Sequence, residues 1–322
     1  MSDQIKSVRG MPDILPDEIK KWQYVEAVAK NLLNSYSYNE IRTPMLERSE
    51  LFQRTIGENT DIVAKEMYTF LDRNDQSLSL RPEATAGIIR SGIDQGLFYN
   101  QTQKLWSIGP MYRYERPQKG RRRQFHQVGV EILGVANPQA DIEVISLAHQ
   151  ILSALKIDHA ITLELNTLGD LESRNTYREK LLEYLSRFKD DLSNDSRKRL
   201  GKNPLRILDS KDEVDQGIVA NAPLLKDSLN DPSRRFFDDV LDGLTCLNIN
   251  YQLNNNLVRG LDYYCHTAFE FTSTSLGAQS AVLAGGRYDG LISEMGGGEI
   301  PGIGWAAGVE RLSLLLGNIE FF

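Results

Sequence analysis

Apolar residues recur at Trp22, Val25, Val28, Leu32, Leu33 and Tyr36, a spacing of three and four that predicts a helix over residues 17–36. Residues 39–46 read as a strand interrupted by Pro44. Proline has no N–H to give a neighbour, so this strand belongs at a sheet edge or against another chain. Residues 66–71 and 77–80 flank Arg73-Asn74-Asp75 as a hairpin. From Thr85 the spacing turns helical, which puts Glu83 and Thr85 at a strand-to-helix corner, where a carboxylate and a hydroxyl suit the helix start. Two longer arms follow, 104–113 and 125–131, joined by a charged loop. Residues 138–156 form an amphipathic helix, and 159–166 alternate as a strand. From 168 to about 245 charged helical segments dominate (171–188, 195–200, 232–246). They form either a helical insertion into a sheet domain or simply further surface helices. The sheet resumes near Ile249, with strands at 267–273 and 279–284, and 285–289 reads as a turn into a helix. The last segment, 301–316, runs as a strand through a glycine break into a helix whose second turn opens on Glu310 and Arg311.

The chemistry concentrates in the hairpin GPMYRYERPQKGRRRQFHQVGVEILG, residues 109–134. Every second side chain of a strand shares a face. Arg113 on one arm and Phe125, Gln127 and Glu131 on the other can therefore line one surface. That surface offers a cation, an aromatic ring, an amide and a carboxylate, which suits a ligand with a phosphate, a flat base and a polar side chain. A solvated basic hairpin is the plain alternative. The net charge of −7 argues against general adhesion to nucleic acid, but positions 113–123 hold six Arg or Lys, a local patch that could meet one. The chain is long enough for one large or two smaller domains. No apolar run would span a bilayer, and no signal-peptide core opens the chain, so the cytoplasm is the expected location. Cys246 and Cys265 make neither a disulfide framework nor a zinc pattern, and His126, His149, His159 and His266 are scattered; no metal site is expected. No P-loop, dinucleotide fingerprint or nucleophile elbow appears.

RYERPQKGRRRQFHQ resembles motif 2 of the class II aminoacyl-tRNA synthetases, in the form found in histidyl-tRNA synthetases. LVRGLDYY (257–264) and AGGRYDGL (284–291) resemble that family's two histidine-specific motifs, RPEATAG (81–87) its amino-acid loop, PGIGWAAGVERLSLLL (301–316) motif 3, and the Pro44 strand motif 1. The resemblance covers the chain from Arg9 onward. It implies an α+β fold: a six-stranded antiparallel sheet flanked by helices, residues 1–167 and 246–322, with a helical insertion at 168–245 near the tRNA acceptor end. It also implies a homodimer built on motif 1. Two departures stand out. Ala84 and Arg122 replace a glycine and an aromatic common in the family, and the chain ends just after motif 3, where an anticodon-binding domain usually follows. That domain is expected to be absent here, as in a catalytic-domain fragment.

The activity implied joins L-histidine to ATP, with Mg²⁺ on the phosphates, as histidyl-adenylate and pyrophosphate, then moves the histidyl group to the 3′ end of tRNA(His). Arg113 and Arg259 are the candidate cations for the charge developing on the α-phosphate. Glu131 and Tyr264, beside Tyr263, would read the imidazole. Gln127, Glu83 and Thr85 would hold the ammonium, with Arg113 and Arg259 also reaching the histidine. Arg121 and Arg123 would attend the ATP phosphates with Arg113, Glu115 would also contact ATP, and Arg311 would stack on adenine opposite Phe125. Gly260 and Asp262 belong to the same specific motif. The other reading is a non-catalytic relative, the regulatory subunit of ATP phosphoribosyltransferase, which shares this fold and binds histidine as a signal. The full set of arginines argues for the enzyme.

Overall fold

The structure is a computed structural model that describes residues 5–57, 60–99, 101–259, 261, 263–277 and 280–317. Helix α1 (Pro16–Ser35) opens on a proline, whose missing N–H costs nothing in a first turn, with Asp17 and Glu18 at the positive end of the helix dipole. It buries one stripe, Trp22, Val25, Ala29 and Leu33. The strand expected over 39–46 is split at Pro44 into β1 (Asn39–Glu40) and β2 (Leu46–Arg48), and both pieces are edge strands of different sheets. After α2 (Ser49–Ile56), β3 (Thr69–Leu71) and β4 (Ser77–Leu80) make the expected hairpin. The Asp72 carboxylate accepts from the N–H groups of Asn74 and Gln76 at 2.8 and 2.9 Å, and Asp75 takes a φ of 59°. Then come α3 (Thr85–Asp94), the long hairpin β5 (Gln103–Tyr112) and β6 (Gln124–Leu133), α4 (Pro138–Ala154) and β7 (Thr162–Thr167). The charged stretch folds as α5 (Leu171–Ser186), α6 (Asn194–Leu200), α7 (Glu213–Val219) and α8 (Asp231–Cys246). Next are β8 (Gln252–Leu253), β9 (Cys265–Thr272), β10 (Ala281–Arg287), α9 (Leu291–Glu294), β11 (Gly302–Gly308) and α10 (Val309–Leu315). Two local expectations are corrected here. Gly285, Gly286 and Arg287 lie in β10 and not in a turn, and Glu310 and Arg311 fall in the first turn of their helix because β11 runs up to Gly308.

Among the described residues the large sheet has eight strands in the order β1-β5-β6-β11-β10-β9-β7-β8. The inner six are antiparallel neighbours, whereas β1 pairs with β5, and β8 with β7, in parallel. The expectation of a six-stranded antiparallel sheet is therefore corrected to an eight-stranded mixed one. The two added strands are two exposed residues each, too short for alternation to register. A second sheet, β2-β4-β3, stands apart.

Alternation along β6 divides the sheet's two faces. Val128, Val130 and Ile132 enter a core shared with Trp22, Leu33, Val144 and Leu312 from α1, α4 and α10. Phe125, Gln127 and Glu131 face the other way, over the site. The buried guanidinium of Arg287 pairs with Asp141 of α4 and, at 3.0 Å, with Asp289, tying β10 to that helix. Beyond the sheet, Tyr177, Leu181, Leu185, Leu200 and Ile207 pack together within the helical stretch. Its last helix, α8, packs on α4 and places Val240 and Leu244 in the main core.

Candidate active site

A cavity of about 280 Å³ lies on the open face of β6, β11, β10 and β9, closed by the start of α3 and by the 113–123 loop. Its two ends differ in chemistry.

At the inner end Glu131 is nearly fully buried. Thr85 Oγ1 donates to its Oε1 at 2.6 Å and the Tyr288 hydroxyl donates to its Oε2. Burial, opposed by those two hydrogen bonds, pushes its carboxyl up to about 8. Directly across the sheet from Glu131 stands Gly304, where a side chain would collide with Glu131 Oε2. The rings of Tyr263 and Tyr264 lie 4.5 Å apart, and Tyr288 stands edge-on to both. Glu83 is also buried, and its oxygens accept from the N–H groups of Thr85 and Ala86 at 2.6 and 2.9 Å. Burial raises its pKa, and those backbone donors and Arg113 work against the rise. Gln127 Oε1 and Ser107 Oγ are buried without a partner among the described residues. Unsatisfied buried polar groups are costly, and a bound ligand is one way to complete them.

At the outer end, Arg113 stands 5.3 Å from the centroid of the Phe125 ring and donates through Nε to Pro82 O at 3.0 Å. Arg121 is ion-paired with Glu115 inside the loop. Arg311 reaches back from α10 to the loop tip, donating to Gly120 O at 3.0 Å and to Ala281 O. Burial lowers the pKa of Arg311. Arg259 pairs with Glu270 of β9, while its Nε is buried and unpartnered among the described residues. Burial works against its charge, but Glu270 and the neighbouring tyrosines hold its pKa above the usual value. Glu310 accepts from the backbone N–H of His126 at 3.0 Å, pinning α10 to the hairpin.

The fold thus brings together Glu83, Thr85, Arg113, Glu115, Arg121, Phe125, Gln127, Glu131, Arg259, Tyr263, Tyr264 and Arg311 around one cavity. Arg123 is not among its lining residues; its guanidinium lies 3.6 Å from the Tyr114 ring centroid and its N–H reaches Gly10 O. Gly260 and Asp262 lie outside the described residues. Sequence reasoning passed over Tyr288, Gly304, Glu270 and Glu310 as site residues. Tyr288 and Gly304 stood inside recognised motifs, but only the register across β11 and the fold of β10 show that both meet Glu131.

Such a cavity, with paired cations at one end and buried carboxyl and phenol groups at the other, belongs to a class of enzyme that handles a phosphate-bearing nucleotide and a small polar molecule together. A model of the histidyl-tRNA synthetase family matches residues 10–188 and 218–312. A histidine–tRNA ligase of Rhodospirillum rubrum is 56% identical over 97% of this chain and 75% of its own length. The structure of apo histidyl-tRNA synthetase from S. aureus superposes with a TM-score of 0.80 at 38% identity, covering 99% of this chain and 75% of that one. An ATP phosphoribosyltransferase regulatory subunit/histidyl-tRNA synthetase from Bacillus halodurans C has a TM-score of 0.71 at 23% identity over 99% of this chain and 85% of that one, a likeness of fold alone. The chain belongs to the histidyl-tRNA synthetase family, a family of aminoacyl-tRNA ligases.

Proposed function

We propose that this histidine–tRNA ligase forms histidyl-adenylate in the cavity over β6. The observation that carries the reading is Glu131, a buried carboxyl fixed by two hydroxyl donors in the same cavity as an unpartnered Gln127 amide oxygen. A carboxyl near 8 and an imidazole near 6.5 share one proton at neutral pH, so Glu131 can pair with a histidine side chain as either acceptor or donor. Tyr264 and Tyr263 supply the aromatic walls of that pocket. Glu83, Thr85 and Gln127 hold the ammonium, for which each Glu83 oxygen keeps a lone pair beyond its backbone bond.

The histidine carboxylate attacks the α-phosphorus of ATP and pyrophosphate leaves. Negative charge grows on the phosphoryl oxygens, and Arg113 and Arg259 are the cations we assign to it. Glu270 holds Arg259 by one edge of its guanidinium, through Nη1, and its Nε is left without a partner among the described residues. Arg121 attends the outer phosphates, while Arg311 and Phe125 enclose the base. Arg123, held by Tyr114, serves the loop and touches the phosphates only if that contact breaks. Mg²⁺ would enter on the nucleotide and neutralise its outer phosphates. The donor set fits an ion carried this way: Glu115 and Glu270 face the cavity, each already balanced by an arginine.

Residues 168–245 are read as an insertion between two parts of the catalytic domain, and the family match skips 189–217 within it. Transfer to the 3′ end of tRNA(His) completes the reaction, in the cytoplasm where charged tRNA is used. No helix among the described residues is long and apolar enough to cross a membrane. The test is ATP–pyrophosphate exchange on this chain. Exchange with histidine, and none with the other amino acids, is expected. Exchange with another amino acid and none with histidine would overturn the assignment of Glu131.

A further inference from the structure

The 113–123 loop, which closes the cavity, is held from two sides. At the cavity its tip is met by Arg311, which donates to Gly120 O. Away from the cavity it is met by the first part of the chain. Gly10 O accepts from Arg123 N–H at 2.7 Å and from Gln124 N–H at 3.3 Å. Gly10 takes a φ of 83°, and a Cβ there would stand 2.8 Å from Arg123 Cγ and 3.0 Å from Pro117 Cγ. Both the backbone angle and the closeness of the loop call for glycine at this position.

Arg122 borders the cavity, yet its guanidinium is engaged by α1. Nη2 donates to Glu18 Oε1 at 2.8 Å, and the group lies 5.8 Å from the centroid of the Trp22 ring. Trp22 is a firm support. It is buried in the core on the far face of the sheet, edge-on to the His126 ring near the start of β6. Residues 116–123 carry five like charges, Arg116, Lys119, Arg121, Arg122 and Arg123. Such a run repels itself unless counter-charges meet it. Glu115 offsets Arg121 from within the loop, and Glu18 offsets Arg122 from outside it. Neither Glu18 nor Gly10 lines the cavity. We propose that Glu18 and Gly10 are positioning residues for ATP, which hold the loop in the shape that brings Arg113 and Arg121 to the phosphates. The assignment rests on the adenylate reading above and extends it to residues that touch no substrate.

The test is steady-state ATP–pyrophosphate exchange on the 322-residue chain, with tryptic cleavage of the loop in the absence of nucleotide as a second readout. A partly exposed ion pair shifts a loop's closed fraction by at most about fivefold. Glu18→Gln should therefore raise the KM for ATP about threefold, with kcat and the KM for histidine within about twofold. Glu18→Arg replaces attraction by repulsion and should raise the KM for ATP about tenfold. The swapped pair, Glu18→Arg/Arg122→Glu, should bring it back to within about twofold of the unaltered chain. Cleavage after Lys119, Arg121 and Arg122 follows the open fraction of the loop and should quicken about threefold in Glu18→Gln. Gly10→Ala should move both readouts in the same direction. Asp17→Asn removes the neighbouring charge from the start of α1 without touching the ion pair, and should move neither. The proposal is overturned if Glu18→Arg changes neither the KM for ATP nor the cleavage rate. It is also overturned if the KM for histidine rises as far as that for ATP, or if the swapped pair is no better than Glu18→Arg. Absence of histidine-dependent exchange in the unaltered chain, with Glu18→Gln still quickening cleavage, would instead count against the adenylate reading and leave the hold on the loop standing.

Discussion

In the reading proposed above Glu131 is the side chain that recognises the imidazole, and its position has a cost that can be measured. Its carboxyl is held near 8 by burial, against an ordinary value near 4.5 in the unfolded chain. Between those values the folded state binds the extra proton, so stability falls as pH rises through that window and levels off above it. At about 1.4 kcal/mol per pKa unit the full penalty has an upper limit of roughly 5 kcal/mol. Glu131→Gln should therefore raise Tm at pH 8, leave it unchanged near pH 4, and abolish histidine-dependent exchange; equal Tm at both pH values would remove the charge argument. Tyr288→Phe takes one donor from the same carboxyl. It should raise the KM for histidine about tenfold, of the order of one lost buried hydrogen bond that leaves its partner unsatisfied, while the KM for ATP stays within about twofold. At this scale the sequence was legible where a side chain's face follows from alternation, as for Gln127 and Glu131 on β6. It was silent where the partner is far along the chain, as Tyr288 is, 157 residues from Glu131.

Two elements hold the site in shape by their ends and their bare backbone. Helix α3 begins in the cavity, and Glu83 accepts from its first free N–H groups. The capping role that the sequence suggested for Glu83 and the ligand role are thus compatible in one side chain. Glu83→Gln keeps an acceptor for the cap and removes the counter-charge. It should cost less than about 1 kcal/mol in stability yet raise the KM for histidine at least tenfold; Glu83→Ala should lose both. In β10, a Cβ on Gly286 would stand 2.6 Å from Thr267 O and 2.8 Å from Tyr264 Cδ1. Gly286→Ala should displace Tyr264 and weaken histidine binding more than ATP binding, which steady-state KM values for the two substrates resolve. The glycines of β10 explain why this strand was expected to stop at 284, three residues short of its end at Arg287. A strand that must let Tyr264 and Trp305 pack against its backbone carries the residues that usually mark a turn. The longer elements were legible because their apolar stripes repeat. β1 and β8, two exposed residues each, have no stripe to repeat.

At the scale of the molecule, the order of motifs along the chain fixed the family reading, but not how the pieces close around the cavity. Arg311, Gly120 and Ala281 are brought together by a sheet in which β11 lies between β6 and β10, a neighbourhood that no local pattern contains. The same holds for the outside of the subunit. Met45, Leu46, Phe70 and Leu71 are between 43% and 64% exposed, on and beside the small β2-β4-β3 sheet. Exposed apolar groups gathered on one sheet mark an interaction surface, and β2 is the edge strand that follows Pro44. We propose that this surface joins two subunits. Because these side chains are exposed in the single subunit, Phe70→Glu with Leu71→Glu should leave its Tm within a few degrees. Sedimentation velocity should give twice the 36.4 kDa chain mass for the unaltered protein and the single-chain mass for the variant. The loop that closes the cavity is tied to the segment leading into this sheet, because the carbonyl of Glu66, just before β3, accepts from Tyr114 N–H at the root of the 113–123 loop. Separated subunits should therefore show weaker exchange, through a higher KM for ATP. A variant that remains dimeric would move the interface elsewhere, and a monomer with undiminished exchange would show that the loop stands without its partner.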